Sequence, residues 1–446
     1  MIKTYEDALN FIHGRTKHKK IPTLSRMAKF LALLGDPQET VQSIHVAGTN
    51  GKGSTVAFLR QMLMAAGYHK VGTFTSPFLI RFNERISING QPVPDDELVK
   101  LVQIVEPIVA RLDQELPTGG PTEFEIDTAL MWLYFAQQKV DVAVVEVGVG
   151  GALDSTNIIK PVVSVIVSIG MDHMNLLGDN LTAIAYQKAG IMRKDVPVVI
   201  GQLNDEALKA VEKSAKMMES PLYRLGLEFQ TAPLPDDHSW HENFAYTFGE
   251  QTADLVQLSL IGHYQVNNAA VALAACQLFL AQQRKHFDPR KIINALSKTT
   301  WPGRFEPLSF SPLVILDGAH NEPAVKELGK TITEHFPQRK ITFIVSILAD
   351  KQYLKMIDEL EKIPNSCIIL TTFSGPGKRT VLEPEQLAFK EANIKVQTNW
   401  QKAILDTAKV QNKDEILVIT GSLYFISTVR RFLTSLTDGK EVNKKD

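Results

Sequence analysis

Cysteine is scarce in this sequence. Only two cysteines occur among 446 residues, Cys276 in an apolar helical pattern and Cys367 in an apolar strand pattern. A disulfide-stapled scaffold needs several paired cysteines, so that class of protein is excluded. We expect both thiols to fill a hydrophobic core in a reducing compartment.

Long apolar runs and net charge are also lacking. The longest apolar run, residues 269–280, contains Gln277 and is too short to cross a bilayer. Residues 1–15 lack the continuous apolar segment of a secretory signal. The formal net charge of −1 argues against a general nucleic-acid surface. We therefore expect a cytoplasmic protein with no membrane or nucleic-acid partner, in which local charge binds any anionic ligand.

A strict Walker A sequence is absent, but residues 48–55, GTNGKGST, have the properties of a phosphate-binding loop. They follow an apolar run at 43–47 and precede a helical pattern that begins at Val56. Glycines let several backbone N–H groups point at one anion, and Lys52 adds a full positive charge. Because another strand is predicted at 70–74, the loop should lie at the carboxyl edge of a parallel sheet.

Polar residues interrupt or follow three of the predicted strands in residues 1–299. Ser76 precedes Pro77 at a strand end, where a turn explains the serine and a metal-binding hydroxyl is the alternative. Glu146 interrupts the apolar strand 141–147, and a carboxylate there is costly unless it is paired or binds a metal. His173 follows another strand at the same edge. Together these residues indicate a site for a nucleotide and its metal.

Lys188 lies on the apolar face of a predicted helix that Asn180 caps. Burying an unpaired ammonium is expensive, so we expect this lysine to be paired or chemically altered, unless its side chain reaches solvent. Residues 262–268, GHYQVNN, lead into an alanine-rich helix. The two asparagine amides there could bind an adenine edge or cap the helix.

Strands and helices alternate again from Leu313, after a proline-glycine connection at 301–304. The first strand of this half is followed by DGAHN and not by G-x-G-x-x-G. We therefore predict an α/β protein with two domains. Residues 1–299 would form a P-loop-type ATPase domain with a mostly parallel sheet, and residues 304–446 a C-terminal Rossmann-like α/β domain.

A series of short motifs runs through nearly the whole chain. In order they are GTNGKGS, TSPF, RFNERI, VEVGVGG, LDSTN, MDH, YQKAGI, GHYQVNNA, WPGR, LDGAHN and ITGSLY. This series, from Ile44 to Tyr424, resembles the folylpolyglutamate synthase family of the Mur ligase superfamily. The resemblance implies a monomeric ligase that uses ATP and Mg²⁺ to join L-glutamate to the γ-carboxylate of a reduced folate through an acyl phosphate.

The resemblance also implies roles for individual residues. ATP would be bound by Thr49, Asn50, Gly51, Lys52, Gly53, Ser54, Thr55, Asn267, Arg304 and Asp317. One Mg²⁺ would be held by Ser76 and Glu146, and a second by Glu146, His173 and a carbamylated Lys188. The substrates would be bound by Phe78, Arg81, Asp154, His320 and Ser422. The catalytic residues would be Lys52, Lys188, Asp317 and His320.

This chemistry suits the residue types. A carboxylate is a poor acyl donor, so ATP must convert it to a mixed anhydride before the glutamate amine displaces phosphate. A lysine and metal ions offset the charge on the transferring phosphoryl group.

One residue departs from the bifunctional members of the family, which also make dihydrofolate from dihydropteroate. They tend to carry an arginine where this sequence has Ala152. Alanine cannot hold the rigid dihydropteroate by charge or stacking, so we expect poor use of that substrate unless Arg81 substitutes.

Two other functions stay open. A nucleotide-switch protein would recognise its base through N-K-x-D, which occurs at Asn443 to Asp446 but after no predicted strand. A peptidoglycan-precursor ligase of the same superfamily would use muramyl peptides in place of folates.

Overall fold

The computed structural model describes residues 2–16, 23–235, 240–375, 380–386 and 393–442. The N-K-x-D match at Asn443 to Asp446 lies outside these residues. The chain divides into two compact units. The first unit comprises Met1–Pro235, Asn243–Leu258 and Val266–Thr299, and the second comprises Asp236–Glu242, Ser259–Gln265 and Thr300–Asp446. The predicted domain boundaries, 1–299 and 304–446, stay a prediction.

The N-terminal two thirds of the chain contain ten α-helices within the described residues. They are α1 Tyr5–His13, α2 Leu24–Leu33, α3 Lys52–Ala65, α4 Asp95–Glu115, α5 Glu123–Gln137, α6 Met174–Leu177, α7 Leu181–Ala189, α8 Asp205–Met217, α9 His263–Gln282 and α10 Pro289–Leu296. Short 3₁₀ helices lie at Pro37–Thr40, Phe82–Arg85 and Ser155–Ile158.

The strands of this part form two sheets. The larger contains β1 Gln42–Ala47, β2 Val71–Phe74, β3 Ile86–Ile88, β4 Gln91–Pro92, β5 Val142–Glu146, β6 Val163–Ile166, β7 Val198–Ile200 and β8 Leu222–Arg224, in the order β4-β3-β2-β5-β1-β6-β7-β8. The smaller contains β9 Phe229–Pro233, β10 Glu242–Phe248 and β11 Gln251–Leu258.

Six neighbouring strands of the larger sheet, from β2 to β8, are parallel, and β3 and β4 form an antiparallel edge. Strands β1 and β5 lie at its centre and are almost entirely buried. The apolar sequence of β5 is typical of a strand covered on both faces. The predicted mostly parallel sheet is therefore confirmed. Its carboxyl edge brings together the segments that follow β1, β2, β5 and β6.

The second unit is built on a six-stranded sheet. Its strands are β12 Glu306–Phe310, β13 Leu313–Leu316, β14 Lys340–Val345, β15 Ser366–Thr372, β16 Ile394–Asn399 and β17 Glu415–Thr420, in the order β12-β13-β17-β14-β15-β16. Its helices are α11 Glu322–His335, α12 Tyr353–Glu361, α13 Trp400–Val410 and α14 Leu423–Val442, with a 3₁₀ turn at Pro384–Gln386. All described strand pairs are parallel except β12 with β13.

Segments from the middle of the chain complete the core of the second unit. The Trp240 ring lies 6.0 Å from Phe305, 5.2 Å from Phe310 and 6.1 Å from Phe336. Glu242 Oε1 accepts a hydrogen bond from the Gly262 N–H at 2.6 Å and lies 2.8 Å from His335 Nε2. The second unit is therefore discontinuous in sequence.

Two helices begin earlier than predicted. Helix α3 begins at Lys52 and not at Val56, because Gly51, with φ +82°, turns the chain directly into the first helical residue. Helix α9 begins at His263, so Asn267 and Asn268 lie inside it. The prediction that either asparagine caps this helix is wrong. Within the described ranges, no helix is both long and apolar enough to span a membrane.

Candidate active site

The phosphate loop connects β1 to α3, and Lys52 folds back over it. Lys52 Nζ donates hydrogen bonds to Gly48 O at 3.0 Å and Thr49 O at 3.3 Å. The hydroxyl of Thr55 donates to Gly51 O at 3.0 Å, and Ser54 is also buried in the first turn of the helix. The loop residues thus surround the positive end of α3, where an anion is favoured.

Residues after β6 hold the other side of this loop. The Thr49 N–H donates to Ser168 O at 2.9 Å, and its hydroxyl donates to Gly170 O at 3.1 Å. The Asn50 N–H donates to Ser168 Oγ at 3.0 Å. These bonds fix the loop backbone, which is the condition for several N–H groups to bind one phosphate.

Asn268 contacts the phosphate loop directly. A Cβ atom on Gly51 would lie 2.3 Å from Asn268 Oδ1, so only glycine fits beside this buried amide. Asn267, the residue predicted to bind ATP, is half-buried on the same helix. Both asparagines lie near the start of α9, and burial beside Gly51 distinguishes Asn268 from Asn267.

Glu146 is buried at the carboxyl end of β5, beside the loop lysine. Its Oε1 lies 3.8 Å from Lys52 Nζ, and its Oε2 accepts a hydrogen bond from the Ser76 N–H at 3.1 Å. Its side chain is only 5% exposed. The predicted meeting of Lys52, Ser76 and Glu146 at one sheet edge is therefore observed.

Lys188 is buried in α7, with 3% of its surface exposed. Burial, followed by the nearby charge of Lys52, lowers the pKa of Lys188 to about 7, while Asp172 and Asp154 oppose the shift. A substantial fraction of the amine is therefore neutral near neutral pH. A neutral amine can act as a nucleophile towards carbon dioxide, which an ammonium cannot.

His173 lies at the start of α6, with 44% of its side chain exposed, and its Nε2 is 3.9 Å from Asp172 Oδ2. No cluster of three or more His, Cys, Asp or Glu side chains converges in a metal-binding arrangement in the part of the chain that the structure describes. Glu146 and Ser76 nevertheless offer hard oxygen atoms next to the phosphate loop. This donor chemistry fits Mg²⁺, which is usually bound by few protein ligands together with phosphate oxygens.

Asp154 and Ala152 belong to a glycine-rich segment, residues 148–154, that follows β5; we call it the glycine loop. Asp154 is buried, and its Oδ2 accepts a hydrogen bond from the Val149 N–H at 2.9 Å. The Ala152 N–H donates to Gln187 O at 2.7 Å, next to Lys188. A Cβ on Gly190 would lie 2.4 Å from Ala152 Cβ, so the loop packs tightly on the end of α7.

Phe78 and Arg81 follow β2. The Arg85 guanidinium lies 5.3 Å from the centre of the Phe78 ring. Arg81 is half-exposed and donates two hydrogen bonds of 2.8 Å to the carboxylate of Asp95, in an open pocket of about 430 Å³. Any anionic substrate that binds Arg81 must therefore compete with Asp95.

The second unit has its own polar cluster at the carboxyl edge of its sheet. Buried Asp317 accepts hydrogen bonds from the N–H groups of Phe305 at 2.9 Å and Ala319 at 2.8 Å. Burial raises the pKa of this carboxyl, and Arg304 and the two N–H groups oppose the shift. Arg304 Nη1 lies 2.9 Å from the position that a Cβ on Gly318 would occupy, so glycine leaves room for the guanidinium.

His320 and Ser422 lie on the two loops that meet at this edge. His320 Nδ1 is 2.9 Å from Gly318 O. Ser422 is buried and follows Gly421, whose N–H donates to Ala319 O at 3.1 Å. The loops after β13 and β17 are therefore joined, and they carry two of the predicted substrate residues.

Sequence reasoning missed several residues of these sites. Asp172, Ser168 and the pair His45 and Thr156 contact or neighbour the predicted residues. Asp172 and Thr156 had a usable signal, since they lie inside the MDH and LDSTN motifs. The others resemble ordinary core or turn residues until the sheet order is known.

Comparisons with known proteins agree with this arrangement. Residues 46–276 match the Mur ligase middle domain, and residues 311–432 the dihydrofolate synthetase C-terminal domain. A dihydrofolate synthase/folylpolyglutamate synthase of Bacillus subtilis (strain 168) is 42% identical, covering 97% of this chain and 100% of its own length. The folylpolyglutamate synthase of Lacticaseibacillus casei is 38% identical, covering 96% and 98%. A solved FPGS-AMPPCP-folate complex has a TM-score of 0.85 and 36% identity, covering 97% and 100%.

The parallel sheet, its phosphate loop and these matches define an ATP-dependent ligase of the Mur type. The α/β class predicted from the sequence is confirmed by the same findings. More particularly, the chain belongs to the folylpolyglutamate synthase family.

Proposed function

We propose that this protein adds L-glutamate to the γ-carboxylate of a reduced folate, with ATP converted to ADP and phosphate. The observation that carries the proposal is the pair of half-buried Lys52 and buried Glu146 at the phosphate loop, in a chain 36% identical to one solved with AMPPCP and folate. ATP supplies the phosphoryl group that turns a carboxylate into an acyl donor.

In this proposal the loop from Thr49 to Thr55 cradles the ATP phosphates with its backbone N–H groups. Lys52 stabilises negative charge that develops on the transferring phosphoryl group, because a preorganised cation in a half-buried site is effective there. Either Asn267 or Asn268 contacts the nucleotide, and the buried position of Asn268 beside Gly51 favours Asn268. Arg304 and Asp317 of the second unit act on the nucleotide and the phosphoryl group.

The proposed ligands of Mg²⁺ are Ser76, Glu146, His173 and a carbamylated Lys188. Mg²⁺, when bound, would offset negative charge on the phosphates. The lowered pKa of Lys188, about 7, supports carbamylation, since only the neutral amine forms the carbamate. Carbon-13 NMR with labelled bicarbonate tests this point. A carbamate signal is expected in the wild type and absent in Lys188→Ala, and a wild-type spectrum without it would contradict the modification.

The remaining proposed substrate residues are Phe78, Arg81 and Asp154 on the folate side and His320 and Ser422 on the glutamate side. Folate labelled with oxygen-18 in its γ-carboxylate tests the order of chemistry. Transfer of the label to released phosphate is expected, because the folate carboxylate is the group activated. Unlabelled phosphate would mean that glutamate is activated, which would reverse the roles of Asp317 and His320.

Phosphate release with a panel of acceptors tests the substrate class. We expect release that requires glutamate together with a reduced folate. Release with muramyl peptides and not with folates would instead make the protein a peptidoglycan-precursor ligase. Hydrolysis that needs neither acceptor nor glutamate, with GTP preferred, would support a nucleotide switch.

Dihydrofolate synthesis is the second candidate function, favoured by the bifunctional name of the 42% identical relative from Bacillus subtilis. Against it, Ala152 offers no charge or ring-stacking surface for dihydropteroate. We expect a much lower kcat/KM for dihydropteroate than for a reduced folate, and an increase in Ala152→Arg. Equal values in the wild type would show that residue 152 does not discriminate and that both activities belong to this chain.

The proposal includes a cytoplasmic location, which two free cysteines, one of them buried, support. It also includes a monomeric state. Sedimentation at several protein concentrations measures the oligomeric state. A mass above 49.6 kDa that grows with concentration would contradict a monomer.

A further inference from the structure

A chain of three buried side chains connects β1 with the glycine loop. His45 Nε2 lies 2.8 Å from Thr156 Oγ1, and the Thr156 hydroxyl donates to Asp154 Oδ1 at 2.5 Å. His45 and Thr156 are fully buried, and Asp154 is 8% exposed. None of the chemistry proposed above uses His45 or Thr156.

The geometry determines where the protons lie. Asp154 also accepts backbone N–H groups, from Val149 at its Oδ2 and from Thr156 at its Oδ1, so its carboxylate acts as an acceptor. The single hydroxyl proton of Thr156 is given to Asp154, and the threonine oxygen is left to accept from His45. His45 is therefore a neutral imidazole with its proton on Nε2. Burial, followed by Arg193, lowers the pKa of His45 to about 3, which agrees with the neutral ring.

Asp154 determines the shape of the glycine loop through these bonds. Its side chain accepts the N–H groups of Val149 and Thr156 and so holds the two ends of this turn together. The same loop is bonded to α7 through Ala152 N–H and Gln187 O, one residue before Lys188. A shift of Asp154 would therefore move the loop relative to Lys188 and the carboxyl edge of the sheet.

The turn after the loop is anchored by Arg193 and Gly190 as well as by the loop itself. Arg193 Nη2 donates to Asn157 O at 2.8 Å and to Asn157 Oδ1 at 2.7 Å. Asn157 Nδ2 in turn donates to Gly190 O at 2.9 Å and to Ala152 O, in the glycine loop, at 3.0 Å. Loss of the bond between His45 and Thr156 should consequently loosen the glycine loop around Asp154, while Asn157 keeps its bonds to Arg193 and Gly190.

We propose that His45 and Thr156 are positioning residues that hold Asp154 and the glycine loop in the shape required to bind the carboxylate substrate. The inference rests on the proposed function, because that function assigns Asp154 to the folate side. ATP binding should not depend on the hydrogen bonds from His45 through Thr156 to Asp154. The phosphate loop is fixed by Ser168 and Gly170 and not by Asp154.

Steady-state kinetics of Thr156→Val and Thr156→Ser test the proposal. Valine keeps the buried volume and removes the hydroxyl, whereas serine keeps the hydroxyl. We expect kcat/KM for the folate substrate to fall about 10- to 100-fold in Thr156→Val, because small misplacements at a reacting site have effects of that size. The KM for ATP should stay unchanged, and Thr156→Ser should recover most of the loss.

Ser155→Ala is the matched control, because it removes a neighbouring hydroxyl outside the hydrogen-bonded chain and should leave the kinetics unchanged. Three results would overturn the proposal: wild-type kinetics in Thr156→Val, equal damage in Thr156→Ser, or a parallel rise in the KM for ATP. If Thr156→Val does not fold, His45→Gln and His45→Leu decide the question. Glutamine retains a donor at the Nε2 position, so it should be the more active of the two, and equal activity would refute the role of the bond.

Hydrogen exchange separates this proposal from the proposed function. In Thr156→Val, peptides covering residues 148–156 should exchange faster than in the wild type, and peptides of the phosphate loop should not. Unchanged exchange in the glycine loop would refute the positioning role whatever the substrate is. If the wild-type protein adds no glutamate to folates but the glycine loop of Thr156→Val still exchanges faster, the proposed function is refuted and the positioning role is retained.

Discussion

Lys52 lies where three oxygen atoms converge, those of Gly48, Thr49 and the Glu146 carboxylate. We expect Lys52→Ala to keep the fold and to lower kcat at least about 100-fold, since a preorganised charge at a transferring group contributes about 3 to 4 kcal/mol. Steady-state phosphate release and thermal unfolding measure the two effects. Lys70→Ala is the control, because its side chain bonds a carbonyl on the exposed surface. A variant with more than about a tenth of wild-type turnover would exclude the role.

Lys188 should make stability depend on pH. Its pKa is about 7 in the folded protein and 10.5 in its ordinary state, so between these values the unfolded chain binds the additional proton. The free energy of unfolding should therefore rise as pH increases through this window. Below about pH 7 the destabilisation caused by burying Lys188 should be complete. Urea unfolding in bicarbonate-free buffer measures this rise. Lys188→Met removes the amine and keeps much of the volume, so the free energy of unfolding of this variant should change little with pH. An equal rise in both proteins would mean that other groups cause the pH dependence.

At the scale of elements, α2 and α5 are joined by a buried ion pair. Arg26 Nε donates to Glu125 at 2.8 Å, and the two side chains are only 4% and 5% exposed. Glu125 also accepts the N–H of Thr122 at 2.7 Å, so one carboxylate caps α5 and binds α2. Glu125 therefore combines the capping box of α5 with a contact that sequence alone did not reveal.

Glu125→Gln should lower the free energy of unfolding by about 3 to 5 kcal/mol, because it leaves the Arg26 charge buried without its counter-ion. Glutamine can still accept the Thr122 N–H, so the helix cap is largely retained. Urea denaturation measures the change. Glu115→Gln, in an exposed pair with Lys29, is the control and should alter stability little. Equal effects of the two substitutions would mean that the loss of stability does not depend on whether the ion pair is buried.

The elements that sequence predicted well are the buried parallel strands and the amphipathic helices, since continuous apolar runs and the 3.6-residue period mark them directly. Strand β5 and helix α7 are examples, and both carry predicted site residues. The antiparallel edges β3, β4 and β12 were missed because they are short and partly exposed. The hydrogen bonds from His45 through Thr156 depend on sheet order, which brings β1 beside β5 and β6.

Some residues of the candidate sites could likewise be predicted from the sequence, and others could not. Residues at strand ends, such as Glu146 and Asp317, could be placed because topology puts every carboxyl end of a parallel sheet at one edge. The choice between Asn267 and Asn268 depended on which of them contacts Gly51, and the sequence alone did not reveal that contact.

At the scale of the whole molecule, the second unit is not one continuous stretch. Trp240 and Glu242 precede the last 147 residues, Thr300–Asp446, and contact Phe305, Phe336 and His335 within that unit. During synthesis these early residues leave the ribosome well before their partners exist, and the core of the second unit can close only when β17, which lies between β13 and β14, has been translated. A gene truncated to encode residues 300–446 should therefore yield a chain that binds a hydrophobic dye and melts without a sharp transition. Trp240→Ala in the full chain should weaken the same unit, and a truncated chain that melts cooperatively would show that the tryptophan is dispensable to its core.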